Sequence, residues 1–398
     1  MVVMTQSRTR LVGVVGALVA TTLGLSSCAY AESTDAAPTD IESAPDEENL
    51  AGVCPETVGV QLQWQPQSDM GGLFELLGPG YTVDTEQKSI TGPLVASGKD
   101  TGVDITLKAG GPAIGFQSVT SQMYVDDSVM LGVVHGDQLI AASTDQPVVG
   151  VTPLLTRSPA ILMWDPQTHP DWDSIADIGE SAATVVVSKD QIFPQWLVGK
   201  GILQPGQIDT SYDSAPARSV GDPSIAQQGF ANSEPYRYEH AVPTWGEPVA
   251  FDLVANSGYD IYASNVAVRA DRLESHSACL DKLVPIVQRA GAGFADDPHA
   301  TNEKIVDIVA QDVSYNPYTM EQAEAGTDVL VDLGLLGHED DGTFGTYDDA
   351  RTQRNLDELR PILTDGGNRV APELTGPDLF TNRFTDTTIT ECPRRPEP

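Results

Sequence analysis

The residue types that carry catalysis are all present, yet none falls into a catalytic pattern. The sequence has no Gly-x-Ser-x-Gly elbow, no phosphate-cradling P-loop and no His-Glu-x-x-His pair. Its six histidines (His135, His169, His240, His276, His299 and His338) include no pair at helical or hairpin spacing. The run Asp340-Asp341-Gly342-Thr343-Phe344-Gly345 lacks the alternating acids and terminal Glu of a calcium loop and reads as an acidic turn. No metal, cofactor or catalytic residue is expected. The chemistry to look for is binding.

Three stretches suit a binding cleft. Leu62-Gln63-Trp64-Gln65-Pro66 carries a strand out into a Pro-stopped loop, where Trp64 can lie over a ligand beyond the strand's carboxyl end. Ala109-Gly110-Gly111-Pro112 lets backbone approach a ligand closely, with free N–H groups ahead of a helix. In Gln228-Gly229-Phe230-Ala231-Asn232-Ser233-Glu234-Pro235-Tyr236 a strand ends and a helix begins. There Glu234 could accept from a ligand amino group and Tyr236 could stack. The competing readings are a core tryptophan, a plain tight turn, and a carboxylate that merely complements a helix dipole.

Basic groups near these stretches are few (Lys108, Arg157, Arg237), against Asp69, Asp137 and Glu234. The aromatic candidates are Trp64, Trp164, Trp196, Tyr236 and Trp245. Stacking a flat ring while a carboxylate accepts from its amino group suits a neutral or cationic heteroaromatic solute, such as a pyrimidine-like vitamin precursor. An anionic or zwitterionic ligand, such as a small anion, held by the Gly110-Gly111 backbone and one Arg is the alternative.

Composition agrees. The 398 residues carry 22 Lys plus Arg against 57 Asp plus Glu, a net charge of −35. Nucleic acid, anionic lipid head groups and polyanions are repelled by such a field. With 40% hydrophobic residues the chain can still bury a large core.

The elements that must position these residues begin only after an N-terminal segment. Residues 1–28 combine Arg8 and Arg10 with the apolar run Leu11–Leu25 and end in Leu25-Ser26-Ser27-Cys28. This reads as a bacterial lipoprotein signal with Cys28 as the lipidated residue, and the run is short for a membrane span. A plain secretory signal cut near Ala29-Tyr30-Ala31 is the alternative. Residues 29–53, with seven acids up to Glu48 and no Lys or Arg, are expected to be a disordered acidic tether. The expected location is the outer face of the cytoplasmic membrane.

From Cys54 onward short apolar runs alternate with amphipathic stretches, which means α/β. Strands are expected over Val58–Trp64, Ser89–Val95, Val103–Lys108, Val129–Val134, Val148–Leu154, Ala160–Trp164 and Ala183–Val187. Further strands fall at Gln228–Phe230, Val249–Val254 and Ile261–Arg269. Four helical patterns fill the last third: Cys279–Ala290, Thr301–Val313, Met320–Leu333 and Asp348–Leu363.

Taken in order, Leu62-Gln63-Trp64, Gly110-Gly111-Pro112, Gly132-Val133-Val134-His135-Gly136-Asp137, Ser158-Pro159-Ala160-Ile161-Leu162, Gly229 to Tyr236 and Tyr259-Asp260-Ile261-Tyr262 resemble a known family. It is that of the extracytoplasmic solute-binding proteins of ABC importers, in the branch of nitrate, sulfonate and taurine binders and thiamine-pyrimidine synthase-like proteins. The chain departs from it in an insertion around Glu86–Asp100 and in lacking the synthases' cysteine-rich motif. The resemblance implies a two-lobed type II periplasmic-binding-protein architecture with mixed sheets and C-terminal helices. Lobe one is expected over 55–157 and 258–398, lobe two over 158–257. Ligand capture would involve Trp64, Gly110, Gly111, Asp137, Trp164, Glu234 and Tyr236, with an ABC permease as partner and the chain a monomer. A non-transporting sensor and a secreted enzyme are the other readings.

With Cys28 lipidated, Cys54, Cys279 and Cys392 remain in an oxidising compartment. Cys54–Cys279 is the favoured disulfide, with Cys54–Cys392 left open.

Overall fold

The structure, a computed structural model, describes residues 41–189, 191–212 and 216–390. Cys28, Cys392 and the expected signal segment lie outside these residues. Two mixed sheets organise the chain. The first contains β1 (Thr57–Gln61), β2 (Thr82–Asp84), β3 (Ser89–Ala96), β4 (Lys99–Lys108), β5 (Val129–Val134), β6 (Val148–Leu155) and β12 (Ala263–Arg269), in the order β2-β3-β4-β1-β5-β12-β6. The second contains β7 (Ala160–Trp164), β8 (Val185–Val186), β9 (Ile208–Asp209), β10 (Ala226–Phe230) and β11 (Ala250–Leu253), in the order β11-β7-β10-β8-β9.

In the first sheet β1 runs parallel to β4 and β5, while β12 is antiparallel to β5 and β6. The inserted stretch supplies β3, next to the edge strand β2, and it pairs antiparallel with β4 through a tight hairpin. Ser97 and Gly98 both have positive φ, as a two-residue turn matched to strand twist requires. β5 is buried at every residue, as a strand covered on both faces should be. β4 alternates instead, with Val103, Ile105 and Leu107 inward. Two short strands, β2 and β9, carry too few apolar residues to show a period.

The chain passes between the sheets twice, through Thr156–Pro159 after β6 and through Val254–Tyr262 before β12. Apolar contacts are continuous across these crossings. Val134 and Val148 share one cluster with Leu162 and Val185 from the other sheet, joined through Tyr259, Tyr262 and Leu356. Leu155 and Ala263 share another with Ile161 and Met163, joined through Phe294 and Leu330. On the far face of the first sheet, the helices Gly71–Glu75, Ser277–Asp296 and His299–Ala310 supply Leu73, Phe74, Leu280, Leu283 and Ile305. The Cys54–Cys279 disulfide is formed and ties the start of β1 to the first of the C-terminal helices across 225 residues.

Over its described part, residues 41–53, the expected tether packs on the fold. Leu50 is fully buried, and its N–H donates to Thr101 O at 2.8 Å. Lys282 Nζ donates to the carbonyls of Asp46 and Asn49, and Arg289 pairs with Glu48 at 2.9 Å. Distant cations and one leucine thus order a stretch whose own composition predicts disorder.

Candidate functional site

The carboxyl ends of β1 and β4 are laced together. Gln61 Nε2 donates to the carbonyls of Leu62, Lys108 and Ala109, and Gly110 N–H donates to Trp64 O at 3.0 Å. This brings the 109–116 loop onto the Trp64 indole. A Cβ on Gly110 would lie 2.2 Å from Leu62 O, and one on Gly111, at φ +57°, would lie 2.4 Å from the indole ring. The glycines therefore permit close approach of backbone to Trp64 itself. Phe116 follows, also with positive φ and 55% exposed, its ring centre 6.0 Å from that of Trp64. The loop thus carries an exposed aromatic in an unfavourable backbone conformation beside a second ring.

Below Trp64, Gln63 Nε2 donates both to Asp69 Oδ2 (3.1 Å) and to Ser264 Oγ (2.9 Å). Ser264 opens β12 with φ +53°, an unfavourable conformation for a residue with a side chain, and its N–H reaches His135 Nδ1 at 3.3 Å. That bond makes Nδ1 the acceptor, and burial holds the imidazole below its usual pKa and so neutral, with Asp137 opposing this in part. Asp69 is buried, and desolvation lifts its carboxyl to about 6, only partly offset by the side-chain amides of Gln67 and Gln63. Gln63 Oε1 and Asp69 Oδ1 are buried and meet no donor in hydrogen-bonding geometry.

From the second lobe, Asn232 follows β10 and is buried, with its Oδ1 unpartnered. The two sides meet on the helix Met320–Asp332. A Cβ on its Gly326 would lie 2.7 Å from Asn232 O and 3.2 Å from Oγ of Ser68, the residue preceding Asp69. Ser68 is itself pinned by the Tyr318 hydroxyl at 2.8 Å.

The remaining expected site residues are differently employed. Glu234 Oε2 accepts from Phe230 N–H at 2.7 Å and Oε1 from the Tyr212 hydroxyl at 3.2 Å. Burial raises its pKa, although the Phe230 N–H, Arg237 and Tyr212 lower it. Asp137 opens the helix Gly136–Ala142, where Oδ2 accepts from the Tyr259 hydroxyl at 2.6 Å and Oδ1 from Gln138 N–H. The five aromatic candidates are not gathered into one stack. Trp164 is 3% exposed and packs edge-on to Trp172, Trp196 packs on Tyr259, Trp245 on Tyr238, and Tyr236 on His240. Trp64 alone of the five pairs with the exposed Phe116.

Sequence reasoning weighed Gln63, Asn232 and His135 only as parts of motifs, Asp69 only as background charge, and Ser264 not at all. It missed Arg351 too. From the helix Asp349–Asp365 this buried guanidinium donates to Thr156 O in the first crossing, and to Asp260 O (3.0 Å) and Ile261 O (3.4 Å) in the second. It also pairs with Asp260 Oδ1 at 3.0 Å and Glu339 at 3.4 Å, and lies 3.9 Å over the Tyr262 ring. Among the described residues no group of three or more His, Cys, Asp or Glu could hold a metal ion, and no helix is long and apolar enough to cross a membrane.

Two mixed sheets, two crossings and a polar floor between them define the periplasmic-binding-protein fold. No family model and no curated protein sequence matches the chain. Among solved structures it is similar to a protein of Bordetella bronchiseptica RB50, with 11% identity and a TM-score of 0.51 over 83% of this chain and 96% of that one. It is similar also to the periplasmic aliphatic sulphonate binding protein of Escherichia coli (13% identity, TM-score 0.50, 87% and 97% covered). A third is the zinc-bound ligand binding component of an ABC-type import system from Staphylococcus aureus (9% identity, TM-score 0.50, 82% and 97% covered). At these identities the likeness is one of fold.

Proposed function

We propose that this chain is the solute-capture component of an ABC import system, binding a small molecule between its two lobes without turning it over. One observation carries the reading. Side-chain oxygens of Gln63 and Asp69 after β1 and of Asn232 after β10 are buried without partners, Asn232 O and Ser68 Oγ both lie against Gly326, and Ser264, at positive φ, accepts from Gln63. Buried polar groups are kept without partners where a ligand or water supplies them. The proposal includes lipidated Cys28 as the anchor at the outer face of the membrane, an ABC permease as partner, and a monomeric chain divided into lobes at 157/158 and 257/258. The proposed ligand is a neutral or cationic heteroaromatic compound lying against Trp64, with Gly110 and Gly111 beneath the indole.

A small anion is the second reading, favoured by the fold shared with the Escherichia coli sulphonate-binding protein. Native mass spectrometry of the purified full chain, followed by calorimetry with 4-aminopyrimidine, propanesulfonate and nitrate, separates the two. Tight binding of propanesulfonate or nitrate without a response to the aminopyrimidine replaces the first reading by the second. A compound recovered chemically altered would replace both by an enzyme.

A further inference from the structure

We infer that Asp69 is the specificity-determining residue of the cleft, selecting a ligand that presents a protonated or donor-bearing nitrogen. The inference rests on the capture reading above and goes beyond it in naming the group that chooses.

Gln63 Oε1, Asp69 Oδ1, Asn232 Oδ1 and, beside Ser264, Asn265 Oδ1 are buried without a partner, all of them oxygens. Asp69 cannot satisfy itself by rotating, because its other oxygen is held by Gln63 Nε2, which Ser264 Oγ holds in turn. Exchanging the ends of the Gln63 amide would set its oxygen against the carboxylate, so the acceptor has to remain where it is. Asp69 is 6% exposed and Asn232 is 3% exposed, so bulk water does little for either. No charged side chain acts on the Asp69 carboxyl; Tyr318, which holds Ser68, and the neutral His135, bonded to Ser264, are the titratable groups tied to its surroundings. Neither brings a cation to Asp69.

A sulfonate or nitrate placed here would set oxygen against oxygen beside a buried carboxylate, in a chain whose net charge is already −35. An ammonium, amidinium or aminopyrimidine nitrogen offers Asp69 Oδ1 the N–H donor it lacks, and its charge compensates Asp69 where screening is weak. Burial has raised this carboxyl to about 6, which is the mark of an uncompensated charge.

The test is calorimetry on the full chain, with 4-aminopyrimidine, propylamine and propanesulfonate as probes, comparing wild type with Asp69→Asn and Trp64→Ala. Wild type is expected to bind at least one nitrogen probe more tightly than propanesulfonate. Asp69→Asn, which keeps the shape and loses the charge, is expected to weaken that binding about 10- to 100-fold. Its thermal midpoint should be equal or higher, which excludes misfolding as the cause. Unchanged affinity in Asp69→Asn, preference for propanesulfonate, or no binding of either nitrogen probe overturns the assignment. If Asp69→Asn binds like wild type while Trp64→Ala does not, Asp69 is wrong and the cleft reading stands. If neither substitution alters binding, both fall.

Discussion

Asp69, which follows β1, and Glu234, which follows β10, are both buried carboxylates, and the fold treats them in opposite ways. Glu234 has a donor on each oxygen, the Phe230 N–H and the Tyr212 hydroxyl, so it fastens the end of β10 to the helix that follows. Asp69 has one oxygen held by Gln63, while the other meets no donor in hydrogen-bonding geometry, although the Gln67 amide lies close enough to oppose the rise in its pKa. The crossings resemble Glu234: Arg351 is surrounded by the carbonyls of Thr156, Asp260 and Ile261 and by two carboxylates. Saturated polar groups fix geometry, whereas an unsaturated one keeps its interaction free energy for something else. By this criterion the lobe-one floor is where we place selectivity.

The contrast can be broken first at the crossings. Arg351→Ala would leave Glu339 and the crossing carbonyls buried without their cation. It should cost about 3–5 kcal/mol of unfolding free energy by urea titration. A loss below about 1 kcal/mol would mean that the crossings do not depend on this tie.

The second measurement uses pH. Asp69 titrates near 6 in the folded chain and near 3.8 unfolded. The native state therefore binds more protons across that window, so stability should fall as pH rises from about 4 to 6 and level off above. The total is on the order of 3 kcal/mol. Asp69→Asn should remove this slope. Subtracting the two curves isolates Asp69 from His135, whose burial favours its neutral form and acts in the opposite direction.

Glu234→Ala strands a backbone N–H and a tyrosine hydroxyl. It should cost about 1–3 kcal/mol at neutral pH, where Asp69→Asn costs nothing. Equal destabilisation by both would erase the distinction between them. The smallest effect is expected at the rim. Gly111→Ala combines a left-handed backbone with a Cβ inside the Trp64 ring, and about 1–2 kcal/mol with an altered near-ultraviolet circular dichroism spectrum should follow.

Most of the fold is legible in the sequence. The alternation of β4, the unbroken apolar run of β5 and the Thr319 and Asp348 caps of two C-terminal helices are local signals that neighbours in sequence enforce. The site is less legible. Trp64 and the two glycines stand out by residue type, and the structure seats the glycines against the indole. Asp69 looks like any other acid in a chain that has 57 of them with Glu. Ser264 looks like any other serine, because positive φ leaves no trace when the residue is not glycine.

What the sequence determined by itself is the order of strands and helices, the acidic field, and the few residue types able to line a cleft, since these follow from periodicity and composition. Only the tertiary structure decided which carboxylate would be satisfied and which left open. Gln63 meets Ser264 across 201 positions, and Arg351 meets Thr156 across 195. A hydrogen bond needs its atoms within about 3 Å, and no sequence pattern reports that distance between residues so far apart.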